Sequence, residues 1–333
     1  MNALITSCRR LLPGLALATA LALAAWLGGL AMPLLGGAVL AILLGVAVRA
    51  AWVPPADALP GLGFAGKCVL QASIVLLGFG LDLGNVLRVG RASLTISIVT
   101  LTLAFVAAWL LGRALRVHGK LALLVGAGTA ICGASAIAAI APILRPDEHD
   151  TAFALSTIFL FNLVAVLVFP PLGHLMGMDA LQFGLWAGTA INDTSSVVAA
   201  GYAYGPAAGD YATIVKLARA SMILPICLLL SAAMAWPARR QSTAAARPPL
   251  HAVVPWFILW FVAAAALRSA GLVPTALLSG LHTAGNLAMV VALAAIGLGA
   301  NLRQMRATGA RPVLLGLGVW ATVAIGSLLL QAL

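Results

Sequence analysis

The stretch GTAINDTSSVVAAG, Gly188 to Gly201, lies inside an apolar run (181–204) long enough to cross a bilayer, yet it gathers Asn192, Asp193, Thr194, Ser195 and Ser196. A crossing takes about 20 apolar residues. Lipid supplies no hydrogen-bond partners, so irregular polar backbone at that depth survives only where protein or a watery cavity provides them. An ionisable group there is costly, which makes Asp193 a candidate functional residue. The alternative is structural: Asp193 caps a helix half that begins after a break.

Two other runs share this character: GTAICGASAIAAIAP (Gly128 to Pro142) and GNLAMVVALAAIGLGAN (Gly285 to Asn301). Aligning Gly128–Ile137 with Gly188–Val197 gives the shared GTAI and the pair Ser135 and Ser195. In a chain this rich in Ala and Gly, that is weak evidence of duplication. AIAAI (Ala136 to Ile140) and ALAAI (Ala292 to Ile296) instead pair a fifth span with a tenth, as inverted repeats of five would. The expected organisation is an N-terminal transmembrane helix (1–32) followed by five-helix units at 33–170 and 181–332.

The rest of the chain excludes a soluble domain. Of 333 residues, 63% are hydrophobic and 8% charged, against about 25% charged in soluble proteins. Apolar runs between charges and Pro/Gly breaks predict eleven spans, near 11–31, 33–48, 61–80, 93–111, 120–142, 151–170, 181–204, 211–236, 252–270, 281–300 and 312–332. The fold class is therefore an all-α polytopic membrane protein with interrupted helices. Arg9-Arg10 and the apolar Leu11–Leu30 read as a first span rather than a signal peptide.

The formal charge of +11 reports topology, with no nucleic-acid partner implied. With the N-terminus cytoplasmic, Arg9, Arg10, Arg49, Arg113, Arg116, Lys120, Arg239, Arg240, Arg247, Arg303, Arg306 and Arg311 fall inside, and Arg88, Arg91, Arg145 and Arg268 outside. Eleven spans then put the C-terminus in the periplasm. Pro237–Leu250 reads as a cytoplasmic linker.

Lys216 and Arg219, at i and i+3 in YATIVKLARASMILP, share a helix face and suit an anion, the guanidinium as a fork and the ammonium as a point charge. Their alternative is to snorkel or to neutralise Asp193. Thr129, Cys132 and Ser135 recur at three-residue spacing, and a helix half starting near Gly133 would aim its N–H groups at an anion. Small residues serve tight helix packing equally well. Asn162 and Asn286 fit interhelical hydrogen bonding, the five histidines fall near span ends, and the eight tryptophans read mostly as interfacial anchors. The four cysteines form no C-x-x-C pair, and no enzyme, nucleotide or metal motif occurs, so neither catalysis nor a cofactor is expected.

IVLLGFGLDLGNVL (Ile74 to Leu87), the two GTAI segments, IVKLARASMILP (Ile214 to Pro225) and AIGLGANL (Ile296 to Leu302), in this order, resemble the YeiH-type sulfate exporter family of bacterial inner-membrane proteins. The likeness runs from about the third span to the eleventh. It implies a transporter fold akin to cation/proton antiporters and bile-acid symporters. It carries over Cys132, Gly133 and Ser135, then Asn192, Asp193, Thr194 and Ser195, then Lys216 and Arg219. LGFGLDL departs from the family near Gly80, where a more polar residue is expected.

The leading expectation is a secondary transporter exporting a small anion, sulfate or organosulfonate-like, across the inner membrane. Lys216, Arg219, Thr129, Cys132, Gly133, Ser135, Asn192, Thr194 and Ser195 would form the substrate site, and Asp193 would take a coupling ion or proton. A homodimer is left open. The alternatives are a cation/proton antiporter with Lys216 as charge partner of Asp193, and a non-transporting sensor or subunit.

Overall fold

The structure, a computed structural model, describes residues 2–31, 36–238, 256–300 and 309–332. Every regular element among them is helical: α1 (Asn2–Ala31), α2 (Gly36–Ala51), α3 (Leu59–Phe64), α4 (Leu70–Gly78), α5 (Leu83–Ala114), α6 (Gly119–Ala130), α7 (Ala134–Leu144), α8 (Glu148–Leu175), α9 (Ala180–Ala190), α10 (Thr194–Tyr204), α11 (Pro206–Ala220), α12 (Ile223–Ala238), α13 (Trp256–Ser269), α14 (Thr275–Gly299) and α15 (Ala310–Ala332). A short 3₁₀ turn (Ala56–Ala58) precedes α3, and a π-helical turn (Ala65–Val69) joins α3 to α4. Seven helical runs are long and apolar enough to cross a membrane, with shorter apolar helices between them, as a polytopic membrane protein requires. Arg239, Arg240, Arg247, Arg303 and Arg306, and with them most of the Pro237–Leu250 linker, lie outside the described residues.

The chain divides into two compact units: Met1–Arg88, Ala199–Asp210 and Trp256–Leu302 in the first, Val89–Val198, Tyr211–Pro255 and Arg303–Leu333 in the second. Both sequence stretches expected as repeats contribute to each unit. In the first, glycines let backbones touch, the means of helix association where lipid is as apolar as the side chains. A Cβ on Gly45 of α2 would sit 2.7 Å from Ala294 O and 2.8 Å from Gly297 Cα of α14. One on Gly297 would collide with Ile42 O, and Gly14 and Gly61 stand in the same relation between α1 and α3. Asp82 clasps this unit at a helix end: Oδ1 accepts from Asn85 N (3.0 Å), and Oδ2 accepts from Ser269 Oγ (2.9 Å). These bonds, the backbone one first, hold its carboxyl below the usual carboxylate range.

In the second unit, Phe169 stacks on Trp186 at 4.1 Å and tilts against Trp320 at 5.8 Å. Trp186 Nε1 donates to Ala324 O (3.0 Å), while Thr189 Oγ1 and Ser327 Oγ are 2.6 Å apart. Trp186 is buried, a core residue rather than an interfacial anchor, whereas Trp26, Trp52, Trp109, Trp256 and Trp260 are exposed.

One expected span does not cross. Lys120 Nζ, at the start of α6, donates to Arg145 O just past α7 (2.8 Å), and His118 Nδ1 lies 2.9 Å from Asp150 Oδ2. A straight helix over 119–144 would hold its ends about 38 Å apart. Residues 120–142 therefore form a re-entrant hairpin whose arms begin and end together. Gly133, at φ +70°, reverses the chain where a side chain would strain it. Gly128 gives the hairpin its inner contact, since a Cβ there would meet Ile137 Cδ1 at 3.1 Å. Two arms of 12 and 11 residues, each about 17 Å long and so about half of a bilayer's hydrocarbon thickness, add up to the hydropathy of a single span, which is why the pattern misleads.

Gly297→Ala is expected to lower the apparent Tm in detergent by an amount equivalent to about 1–3 kcal/mol, the cost of overpacking. Gly299→Ala, whose Cβ would meet nothing within 4 Å, should leave Tm unchanged.

Candidate functional site

The site lies wholly in the second unit and is built from two broken segments. α6 ends at Ala130 and α7 resumes at Ala134; α9 ends at Ala190 and α10 resumes at Thr194. Both breaks fall at the same register of the GTAI alignment, Ile131–Gly133 and Ile191–Asp193. A helix that stops in mid-membrane leaves carbonyls unpaired and the negative end of its dipole exposed.

Helix α11 supplies one cation to each stump. Lys216 Nζ donates to Ile191 O at 2.8 Å. Arg219, one turn on, donates through Nε to Ala130 O and through Nη2 to Thr129 O (3.3 Å). Both side chains are 0% exposed. A cation at a helix C-terminus is the favourable electrostatic pairing.

The restarting ends differ. At α10, Asp193 Oδ2 accepts from Ser195 N (3.0 Å) and from Ser195 Oγ, while Asp193 N donates to Asn162 Oδ1 on α8 (3.0 Å). Asp193 thus caps the helix half, the structural role weighed against function from sequence, and it also joins the breaks. A Cβ on Gly133 would lie 3.3 Å from Asp193 Oδ1. At α7, Gly133 provides no side-chain cap, and the first-turn residues Ala134 and Ser135 are exposed. That end keeps N–H groups for an acceptor.

Several buried polar atoms here lack partners: Asn192 Nδ2 and Oδ1, Thr129 Oγ1 and Arg219 Nη1. Asn192 and Thr129 are each 1% exposed. Leaving such groups unpaired costs about 1–3 kcal/mol each, so the two breaks concentrate unmet hydrogen-bonding capacity. His118 and Asp150 form an ion pair at the hairpin mouth, whereas among the described residues neither buried cation has a carboxylate within 4 Å.

The structure thus brings Thr129, Cys132, Gly133, Asn192, Asp193, Thr194, Ser195, Lys216 and Arg219 to the two breaks, with Cys132 buried and Ser135 on the open face of α7. The three-residue spacing of Thr129, Cys132 and Ser135 does not give one helix face, because the helix stops between them. The first unit holds a polar group that sequence reasoning scattered between a link and a span end. Tyr202 Oη donates to Asp210 Oδ1 (2.5 Å), His282 stands within electrostatic reach of Asp210, and His282 Nδ1 is 3.2 Å from Asn286 Nδ2. No local signal joins residues this far apart in sequence.

The profile of a family described as conserved hypothetical protein 698 matches residues 13–316. The chain is 41% identical over 331 residues to a UPF0324 membrane protein of Streptococcus pyogenes serotype M18, covering 97% of each. It is 39% identical to one from Streptococcus mutans, again covering 97% of each, and 36% identical to one from Clostridium tetani, covering 90% of this chain and 89% of the relative. No solved structure matches.

Replacing Lys216 or Arg219 by Met leaves half-helix carbonyls without their charged donors. Each change is expected to destabilise by about 1.5–3 kcal/mol, the worth of a hydrogen bond to a charged group. Thermal unfolding should show both losses, against little change for Arg91→Met at an exposed position of α5.

Proposed function

We propose that this chain, which belongs to the UPF0324 membrane protein family described as conserved hypothetical protein 698, is a secondary carrier for a small oxyanion in the bacterial inner membrane. The observation that carries the reading is the pair of fully buried cations, Lys216 and Arg219, with no carboxylate within 4 Å. Counting Asp193, the breaks hold a formal excess of one positive charge. Buried charge demands a counter-charge, and an anion supplies it.

Arg219 Nη1, the Asn192 amide and the open first turn of α7 offer the donors, in the manner of half-helix ends that face anionic substrates in transporters. Sulfate and organosulfonates, moved outward, are the first candidates through the resemblance given above. Asp193, in the second break and against Gly133 of the first, takes the coupling proton in this reading. The rival cation/proton antiporter needs Lys216 opposite Asp193; the ammonium instead donates to Ile191 O and the carboxylate engages Ser195, so the geometry supports it less.

In this reading the first hairpin opens to the cytoplasm and the α9–α10 segment is a second hairpin opening to the periplasm, with N-terminus inside and C-terminus outside. Arg145 then joins the twelve cytoplasmic cations, leaving Arg88, Arg91 and Arg268 outside. If α9–α10 crossed, every later link would change sides and the cations would divide equally, with no bias to set orientation.

Two measurements test this. In proteoliposomes, Arg219→Lys keeps the charge but loses the fork, and should cut oxyanion flux at least tenfold while the protein remains folded; intact flux would remove the anion assignment. Separately, an impermeant maleimide applied outside should label both Met178→Cys and Pro206→Cys, and should not label Arg145→Cys. Labelling of only one of the first pair means that α9–α10 crosses.

A further inference from the structure

Where helices break inside a membrane, the freed carbonyls and the negative dipole ends together make the usual seat of a travelling cation. In this chain both seats are taken by the protein itself. Lys216 Nζ sits on Ile191 O, the carbonyl that closes α9, and the Arg219 guanidinium sits on Ala130 O and Thr129 O, which close α6. Both are covalently fixed and fully buried. A buried oxygen without a partner belongs to each break: Asn192 Oδ1, one residue after the Ile191 carbonyl that Lys216 holds, and Thr129 Oγ1, on a residue whose carbonyl Arg219 holds. Carbonyl, amide and hydroxyl oxygens are the ligands that hard metal cations prefer.

We propose that Lys216 and Arg219 are tethered substitutes for coupling metal cations, so that the carrier binds and moves its anion without Na⁺, Li⁺ or K⁺. This rests on the carrier reading of the same site. The positive charge that balances the anion is part of helix α11 and never leaves it. The two seats are latent cation sites: deleting the Lys216 side chain exposes Ile191 O with Asn192 Oδ1 nearby in sequence, and deleting that of Arg219 exposes Thr129 O, Ala130 O and Thr129 Oγ1. The shapes of the departing groups differ, so the seats should accept different replacements. A small spherical or ammonium ion suits the first, and a planar guanidinium the second.

The test uses the full-length purified protein and reads thermal stability at constant ionic strength and constant chloride, with choline as the reference cation. Wild-type protein should unfold at the same temperature in sodium, lithium, potassium and choline chloride. Lys216→Ala should unfold at a lower temperature and recover part of the loss, saturably, with Na⁺ or methylammonium, because a ligand that binds only the folded form raises its apparent stability. Arg219→Ala should recover with millimolar guanidinium and less with Na⁺.

A saturable rise of the wild-type Tm with any metal cation overturns the proposal, since it reveals a seat that is not filled. So does a folded Lys216→Ala protein indifferent to every cation offered. If Lys216→Ala does not fold, the wild-type comparison and Arg219→Ala still decide. No substrate anion enters these measurements. A failure of the oxyanion reading therefore shows in the flux assay, and a failure of this proposal in the dependence on cations.

Discussion

Two half-helices that stop in the middle of a membrane cannot be left with bare carbonyl ends, and helix α11 answers both with side chains one turn apart. Lys216 closes the end of α9 and Arg219 the end of α6. The arrangement dictates much else. The breaks must lie within reach of one helix face, which brings Gly133 against Asp193. They must also restart as helices, which Asp193 achieves for α10 through Ser195, with Asn162 of α8 holding its backbone. The desolvation of two cations is offset only if these bonds form, because hydrocarbon offers nothing in exchange.

Close packing supports that geometry. In a bilayer the apolar side chains gain little from leaving lipid for protein, so helices are held by backbone approach and by specific polar contacts. The Gly45–Gly297 contact in the first unit is of the former kind, and the Trp186–Ala324 and Thr189–Ser327 contacts in the second are of the latter. Asp210, Tyr202, His282 and Asn286 show that the first unit has a polar cluster of its own, assembled from residues far apart in sequence.

The membrane class, the helical fold and the breaks within Gly128–Pro142 and Gly188–Gly201 were legible in the sequence because they follow from composition and from small polar residues at membrane depth. The same signal also marked Gly285–Asn301 as interrupted, and there it misled, because α14 runs unbroken from Thr275 to Gly299 with its small residues serving close packing against α2. The restart of a helix after Gly133 was legible from small residues at that depth too. Direction was not. Hydropathy adds the two arms of a hairpin into one span and carries no sign of reversal, so residues 120–142 read as a crossing until Lys120 and Arg145 are seen together. Gly128–Ile137 and Gly188–Val197 share the register of their breaks as well as their GTAI, which a count of identities does not show. The spacing of Lys216 and Arg219 predicted a shared face, but not that each would donate to the carbonyl end of a half-helix. Spacing within one helix says nothing of what lies opposite.

The mouth of the first hairpin is closed by Lys120 on the carbonyl of Arg145 and by His118 on Asp150 in the first turn of α8. Its tip adjoins Asp193, whose amide is held by Asn162 about halfway along that same α8. The hairpin is thereby braced at both extremities to a single helix, like a lever pinned at handle and fulcrum. A force on α8 therefore reaches the hairpin twice, at the mouth through Asp150 and at the tip by way of Asp193, rather than at its glycine alone.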